Sequence, residues 1–115
     1  MKLALNLFTG TENYYKNPYI NFKYTDGVKY LADNGCSWIL DVINSYTHDK
    51  RLRGQNFQSW TLKVDGTKGV ITCDDGNNNI LLTQKIPFTD FYSKTQLNEV
   101  SLWLIDGVLI LPSEY

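Results

Sequence analysis

From Phe57 onward, apolar and polar residues alternate with a period of two, and short turn signals interrupt the alternation at intervals. This pattern restricts the fold most, because a period of two sorts side chains onto the two faces of a strand and suits no helix. "FQSWTLKVDG" puts Trp60, Leu62 and Val64 on one side and Ser59, Thr61 and Lys63 on the other. Asp65-Gly66 turns the chain, "KGVITC" is the next strand and "DDGNNN" the next turn. "ILLTQKIPF" is a third strand, ended by Pro87, and residues 88–98 form a polar connection. "VSLWLIDGVLIL" reads as a hairpin around Asp106-Gly107, a pair that accepts the positive φ angles of a tight primed turn. Its nearly continuous apolar character predicts burial on both faces.

The N-terminal half has a different period. Residues 9–25 mix Gly, Asn and Pro with five aromatics and read as an ordered, irregular arm that lays rings against the body. A first helix starts near Thr25, whose hydroxyl can cap it, and carries Val28, Leu31 and Ala32 on one stripe until Asn34-Gly35 stops it. Ser37 can cap a second helix from Trp38 to Leu52, with Ile39, Val42, Ile43 and Tyr46 on one face. Lys50, Arg51 and Arg53 close it, where positive charge suits the helix dipole. The expectation is a single α+β domain over residues 1–115: two N-terminal helices packed on one face of a five-stranded antiparallel meander sheet.

Charge and cysteine usage narrow the function classes. Eleven Lys and Arg against twelve Asp and Glu leave a net charge of −1, which argues against a general binder of nucleic acid. Cys36 and Cys73 are too few for a disulfide framework, and no paired His completes a zinc site; both read as reduced, small apolar residues. "MKLALNLF" is too short for a secretory apolar core, and no segment nears the ~20 apolar residues of a membrane span. A cytoplasmic protein is expected, without membrane contact.

Three groups could carry chemistry. Asp74 and Asp75 are paired carboxylates, yet adjacent strand-end residues point to opposite faces. A calcium loop starting at Asp75 would need Gly and Glu where Ile80 and Ile86 stand. The pair reads as a hairpin corner, with no metal. His48 shares the polar face of the second helix with Asp41 and Ser45, and three residues projecting from one rod cannot form a triad. "HDKRLRGQ" is the densest positive patch. No phosphate-binding loop, dinucleotide fingerprint or nucleophile elbow is present, so no catalytic residue and no cofactor are expected.

The words "TENYY", "YTDGVKYLA", "WILD", "FQSWTL", "TCDDGN", "QKIPFTDF" and "LPSEY" cover most of the chain in order. With them the chain resembles a family of small uncharacterised proteins from bacteria, phages and mobile elements. That resemblance brings no catalytic or binding residues with it. What it implies is a free-standing accessory protein of phage or plasmid type that clamps onto a host protein, as inhibitors of host defence (anti-CRISPR-like proteins) do.

The leading expectation is therefore a non-catalytic protein that binds a host protein. Its surface would be the ring-rich arm, Tyr14, Tyr15, Tyr19 and Tyr24, together with Lys50, Arg51 and Arg53, since Tyr and Arg dominate interface hot spots. The alternative is a small-molecule or nucleotide-binding domain, working as a homodimer, with aromatics and polar side chains lining a pocket between helices and sheet. An enzyme using Asp74, Asp75 or His48 ranks last. An apolar edge such as "VLIL" also needs covering, by the sheet or by a second copy.

Overall fold

The computed structural model describes residues 2–115. Seven strands form one sheet: β1 (Tyr14–Lys16), β2 (Lys23–Thr25), β3 (Phe57–Asp65), β4 (Lys68–Asp74), β5 (Ile80–Ile86), β6 (Glu99–Ile105) and β7 (Val108–Ile110). Their order across the sheet is β1-β2-β7-β6-β3-β4-β5. The pair β2–β7 is parallel and the others are antiparallel.

The five-stranded antiparallel meander is therefore wrong on two counts. The arm supplies two strands of its own, one of them parallel to β7. The closing hairpin also does not follow β5 at the sheet edge but inserts beside β3. Burial explains the insertion: Trp60 pairs with Leu102 and Leu62 with Val100, and all four are buried. The two most apolar strands thus lie side by side in the middle of the sheet, where a helix can cover both. On β5 only Leu82 is fully buried, so that strand stays at the rim.

The helices differ from expectation as well. Residues 26–45 form one kinked helical run instead of two separate helices packed on the sheet. α1 (Asp26–Leu31) passes through an irregular turn into α2 (Ser37–Ser45), and the break is Gly35 at φ +91°, a conformation that costs glycine no steric penalty. α2 ends at Ser45, well short of Leu52. The Ser45 hydroxyl donates to the Val42 carbonyl at 2.6 Å and the Thr47 hydroxyl donates to the Asn44 carbonyl, so side chains satisfy the carbonyls that a longer helix would use. Lys50–Leu52 is a separate 3₁₀ turn, capped by the Asp49 side chain, which accepts from Arg51 N. A short third helix, α3 (Phe91–Thr95), lies in the stretch that reads as a polar connection, with Phe91 and Thr95 fully buried.

The core lies between the helices and one sheet face. Val28, Leu31, Ile39, Leu40 and Ile43 meet Trp60, Leu62, Ile71, Cys73, Leu82, Val100, Leu102 and Leu109. The closing hairpin is buried on one face, not two: Val100, Leu102 and Leu109 are buried, whereas Trp103, Ile105, Val108 and Ile110 are half-buried. The edge of β7 is covered by β2 of the same chain, which leaves no room there for a second copy.

Candidate functional site: the open face of the sheet

The helices α1, α2 and α3 bury their apolar residues against the face that carries Trp60 and Leu62, and strand alternation puts a second set of side chains on the opposite face. Two parts of that face follow from register. At one end Phe57, Ile105 and Val108 form a row, beside a second row of Ser59, Trp103 and Ile110. The Phe57 and Trp103 rings are 5.4 Å apart, and Tyr115 sets its edge on Trp103 at 5.7 Å. Next comes a row of hydroxyls across four strands, Ser101, Thr61, Thr72 and Thr83, with Thr61 and Ser101 hydrogen-bonded at 3.2 Å. Lys63, salt-bridged to Glu99 at 3.6 Å, lies beyond it with Val70 and Lys85.

The "DDGNNN" corner builds a wall on this face. Asp75 accepts from the backbone N–H of Asn77 and Asn79 and from the Asn79 amide at 2.8 Å, and Asp74 accepts from Gly76 N at 2.7 Å. The Asn79 amide and these backbone donors hold the Asp75 carboxyl below its ordinary range. Both aspartates thus serve their own turn, as Asx turns do. The corner rests on the site's aromatic end, since a Cβ on Gly76 would lie 2.8 Å from the Phe57 ring. A shallow hollow of about 350 Å³ results, lined by Thr61, Lys63, Val70, Thr72, Asp74, Asn78 and Ile80.

The residues expected from the sequence to bind a partner are divided by the fold. Tyr15 and Tyr24 turn toward the helix side and stack at 5.8 Å, and the Tyr15 hydroxyl donates to Asp26 Oδ1 at 2.9 Å. Tyr14 and Tyr19 point out, 61% and 85% exposed. The turn that carries Lys50 and Arg51 lies beside β5, with Arg53 directly after it, and five strands separate that edge from β1. Arg51 is held in a bidentate pair with Asp49, at 2.9 and 2.8 Å, over the Tyr46 ring. The arm and the basic turn therefore do not make one patch.

Asp26 gathers the arm. It accepts from Glu12 N at 3.0 Å, from the Asn13 amide at 3.4 Å and from Tyr15, and its own N–H donates to Thr11 Oγ1. The Glu12 amide and the Tyr15 hydroxyl lower its pKa, while the bond to Asp26 raises that of Tyr15. Beside this knot is an open cleft of about 820 Å³ bordered by Glu12, Lys29, Tyr30 and Asp33. His48 is exposed in the turn after α2, and the Ser45 hydroxyl is bonded elsewhere. Among the described residues no three His, Cys, Asp or Glu converge as a metal site.

A family model matches residues 1–115 from end to end. The chain belongs to the DUF6876 family of unknown function. No curated protein and no solved structure matches it. In this DUF6876 chain the residues that sequence reasoning missed are Phe57, Trp103 and Tyr115. The phase of "VSLWLI" held the signal, because Trp103 alternates with Ser101 and Ile105, out of step with the buried Val100 and Leu102.

Proposed function

We propose that the protein is a non-catalytic binding module that engages another folded protein through the open face of its sheet. One observation carries this reading: the apolar residues of α1, α2 and α3 join the core on one side of the sheet, and the other side presents Trp103, Phe57 and Tyr115 as a contiguous aromatic group, half-buried at the two strand residues and exposed at Tyr115. Large rings that give up water on docking, ringed by hydroxyls that can bond a partner, are the makings of an interface hot spot. The arm, with Tyr14 and Tyr19 exposed, is secondary in this reading.

The cleft beside Asp26 has the size of a small-molecule site and supports the ligand-binding alternative. Its lining sets Glu12, Asp26 and Asp33 against Lys29 alone, which opposes a nucleotide phosphate. The open face is the better candidate. The test is a tagged pull-down from host extract with the wild type, a Trp103→Ala/Tyr115→Ala variant and a Tyr14→Ala/Tyr19→Ala variant. A stoichiometric protein lost only with the first variant supports the reading. Retention of that protein by a folded Trp103→Ala/Tyr115→Ala variant overturns it.

A further inference from the structure

We infer that the outer edge of β5 takes up an extended, acidic segment of a partner protein as an added strand. Among the described residues β5 ends the sheet and pairs with β4 alone. Among the described residues no other segment makes a backbone hydrogen bond to residues 80–86. The two edges differ in kind. β1 offers three residues, whereas β5 offers seven, long enough to template another strand.

The charge around this edge selects the occupant. β5 reads "ILLTQKI", with one cation and no carboxylate. Lys85 shares a register row with Val70 on the open face and is exposed. On the helix side the 3₁₀ turn Lys50–Leu52 is held against the strand, because Tyr46, which lies under Arg51, donates its hydroxyl to Gln84 Oε1 at 2.5 Å. Asp49 neutralises Arg51. Lys50, Arg53 and Lys85 are exposed and take part in none of the salt bridges among the described residues. An edge strand is often guarded by one lysine. Here a separate element adds cations on the opposite face, so an incoming strand meets positive charge from both sides of its pleat. Acidic side chains in both phases match that arrangement.

A second copy of this chain fits worse, since pairing β5 with itself would bring Lys50, Arg53 and Lys85 of two copies together. Nucleic acid could neutralise the cations but has no backbone that continues a β ladder. The inference rests on the reading that the chain binds protein, but it concerns a different place from Trp103. Failure of the Trp103 face and failure of the β5 edge are therefore told apart by separate variants.

The test uses the full chain and a dye-labelled peptide in which pairs of glutamates alternate with pairs of valines, so that both faces of the added strand carry carboxylates, followed by fluorescence anisotropy and amide hydrogen exchange. The expected result is saturable binding with slowed exchange of β5 amides. A Lys50→Glu/Arg53→Glu/Lys85→Glu variant with an unchanged circular dichroism spectrum binds about tenfold more weakly or worse. The same peptide N-methylated at alternate residues does not bind, and neither does its lysine counterpart. Trp103→Ala leaves peptide binding unchanged, which separates this site from the open face. Equal binding of the N-methylated peptide, or of oligothymidylate, overturns strand addition in favour of a plain anion-attracting surface. Absence of peptide binding at low salt, or self-association through β5 in light scattering, also overturns it.

Discussion

Glu114 accepts the hydroxyl proton of Thr25 at 2.6 Å, joining residues 89 positions apart in the chain. The same carboxylate accepts from Gly27 N at 3.1 Å and from Leu111 N at 2.9 Å. Thr25 sits at the N-cap of α1 without capping through its own side chain, and Glu114 supplies the acceptor instead. The end of the chain thus closes the first helix and fastens the turn that sets Tyr115 on Trp103.

Replacing Glu114 by Ala leaves the Thr25 hydroxyl and two amides without their acceptor. The expected loss is about 1–3 kcal/mol, read as a lower urea midpoint at unchanged slope. Glu114→Gln keeps one acceptor oxygen and falls between. A Glu114→Ala variant as stable as the wild type would show that the clamp contributes nothing.

Gly27→Ala has a sign opposite to helix propensity. Alanine is the better helix former by about 1 kcal/mol. Here, however, a Cβ would lie 2.5 Å from Leu111 Cδ1 and 2.8 Å from Glu114 Oε1. The crowding should outweigh the propensity and destabilise the protein by about 1–3 kcal/mol, measured by thermal or urea denaturation. Stabilisation would mean that the C-terminal turn yields freely.

Acid should loosen the arm before the core. The Asp26 carboxyl lies below its ordinary value of 3.8 because of the Glu12 amide and the Tyr15 hydroxyl, and that of Asp49 is lowered to about 2 by Arg51. Groups depressed in the folded state contribute stability that is complete above 3.8 and lost as pH falls through the folded value, toward 2 for Asp49. Tyr15 is raised above 10.0, chiefly by Asp26, so its share is present below 10.0 and lost as pH rises past it. Melting temperature should be level between about pH 5 and pH 9 and fall on both sides. Asp26→Asn should flatten part of each slope, and unchanged slopes would rule out the knot as their cause.

Both cysteines should resist thiol reagents in the native state. Burial pushes Cys36 up to about 11 and Cys73 up to about 12, so neither supplies thiolate at neutral pH. Reaction with a chromogenic disulfide should be slow at pH 8 and become complete in denaturant. Rapid native labelling of either residue would contradict its burial.

The interface residues show what a sequence can and cannot reveal. Lys50, Arg51 and Arg53 stand out by charge, and the structure places the turn of Lys50 and Arg51 beside β5, at the rim of the sheet, with Arg53 next in the chain. Tyr15 and Tyr24 stood out equally, yet they turn to the helix side, because Asp26 and the stacked pair give them internal partners. A ring's type says that it can bind; only its neighbours decide whether it is free to.

The strands from Phe57 to Ile86 and the turn at Asp106-Gly107, with φ of +47° and +83°, were legible in the sequence, since period and turn chemistry act over a few residues. The break at Gly35 was legible for the same reason. Tertiary structure alone decided that β6 lies beside β3, that Lys23–Thr25 runs parallel to β7, and that Glu114 closes α1. Each of these joins segments tens of residues apart. Such pairings are chosen by the apolar area that the whole sheet can bury under one kinked helix, a sum that no local stretch contains.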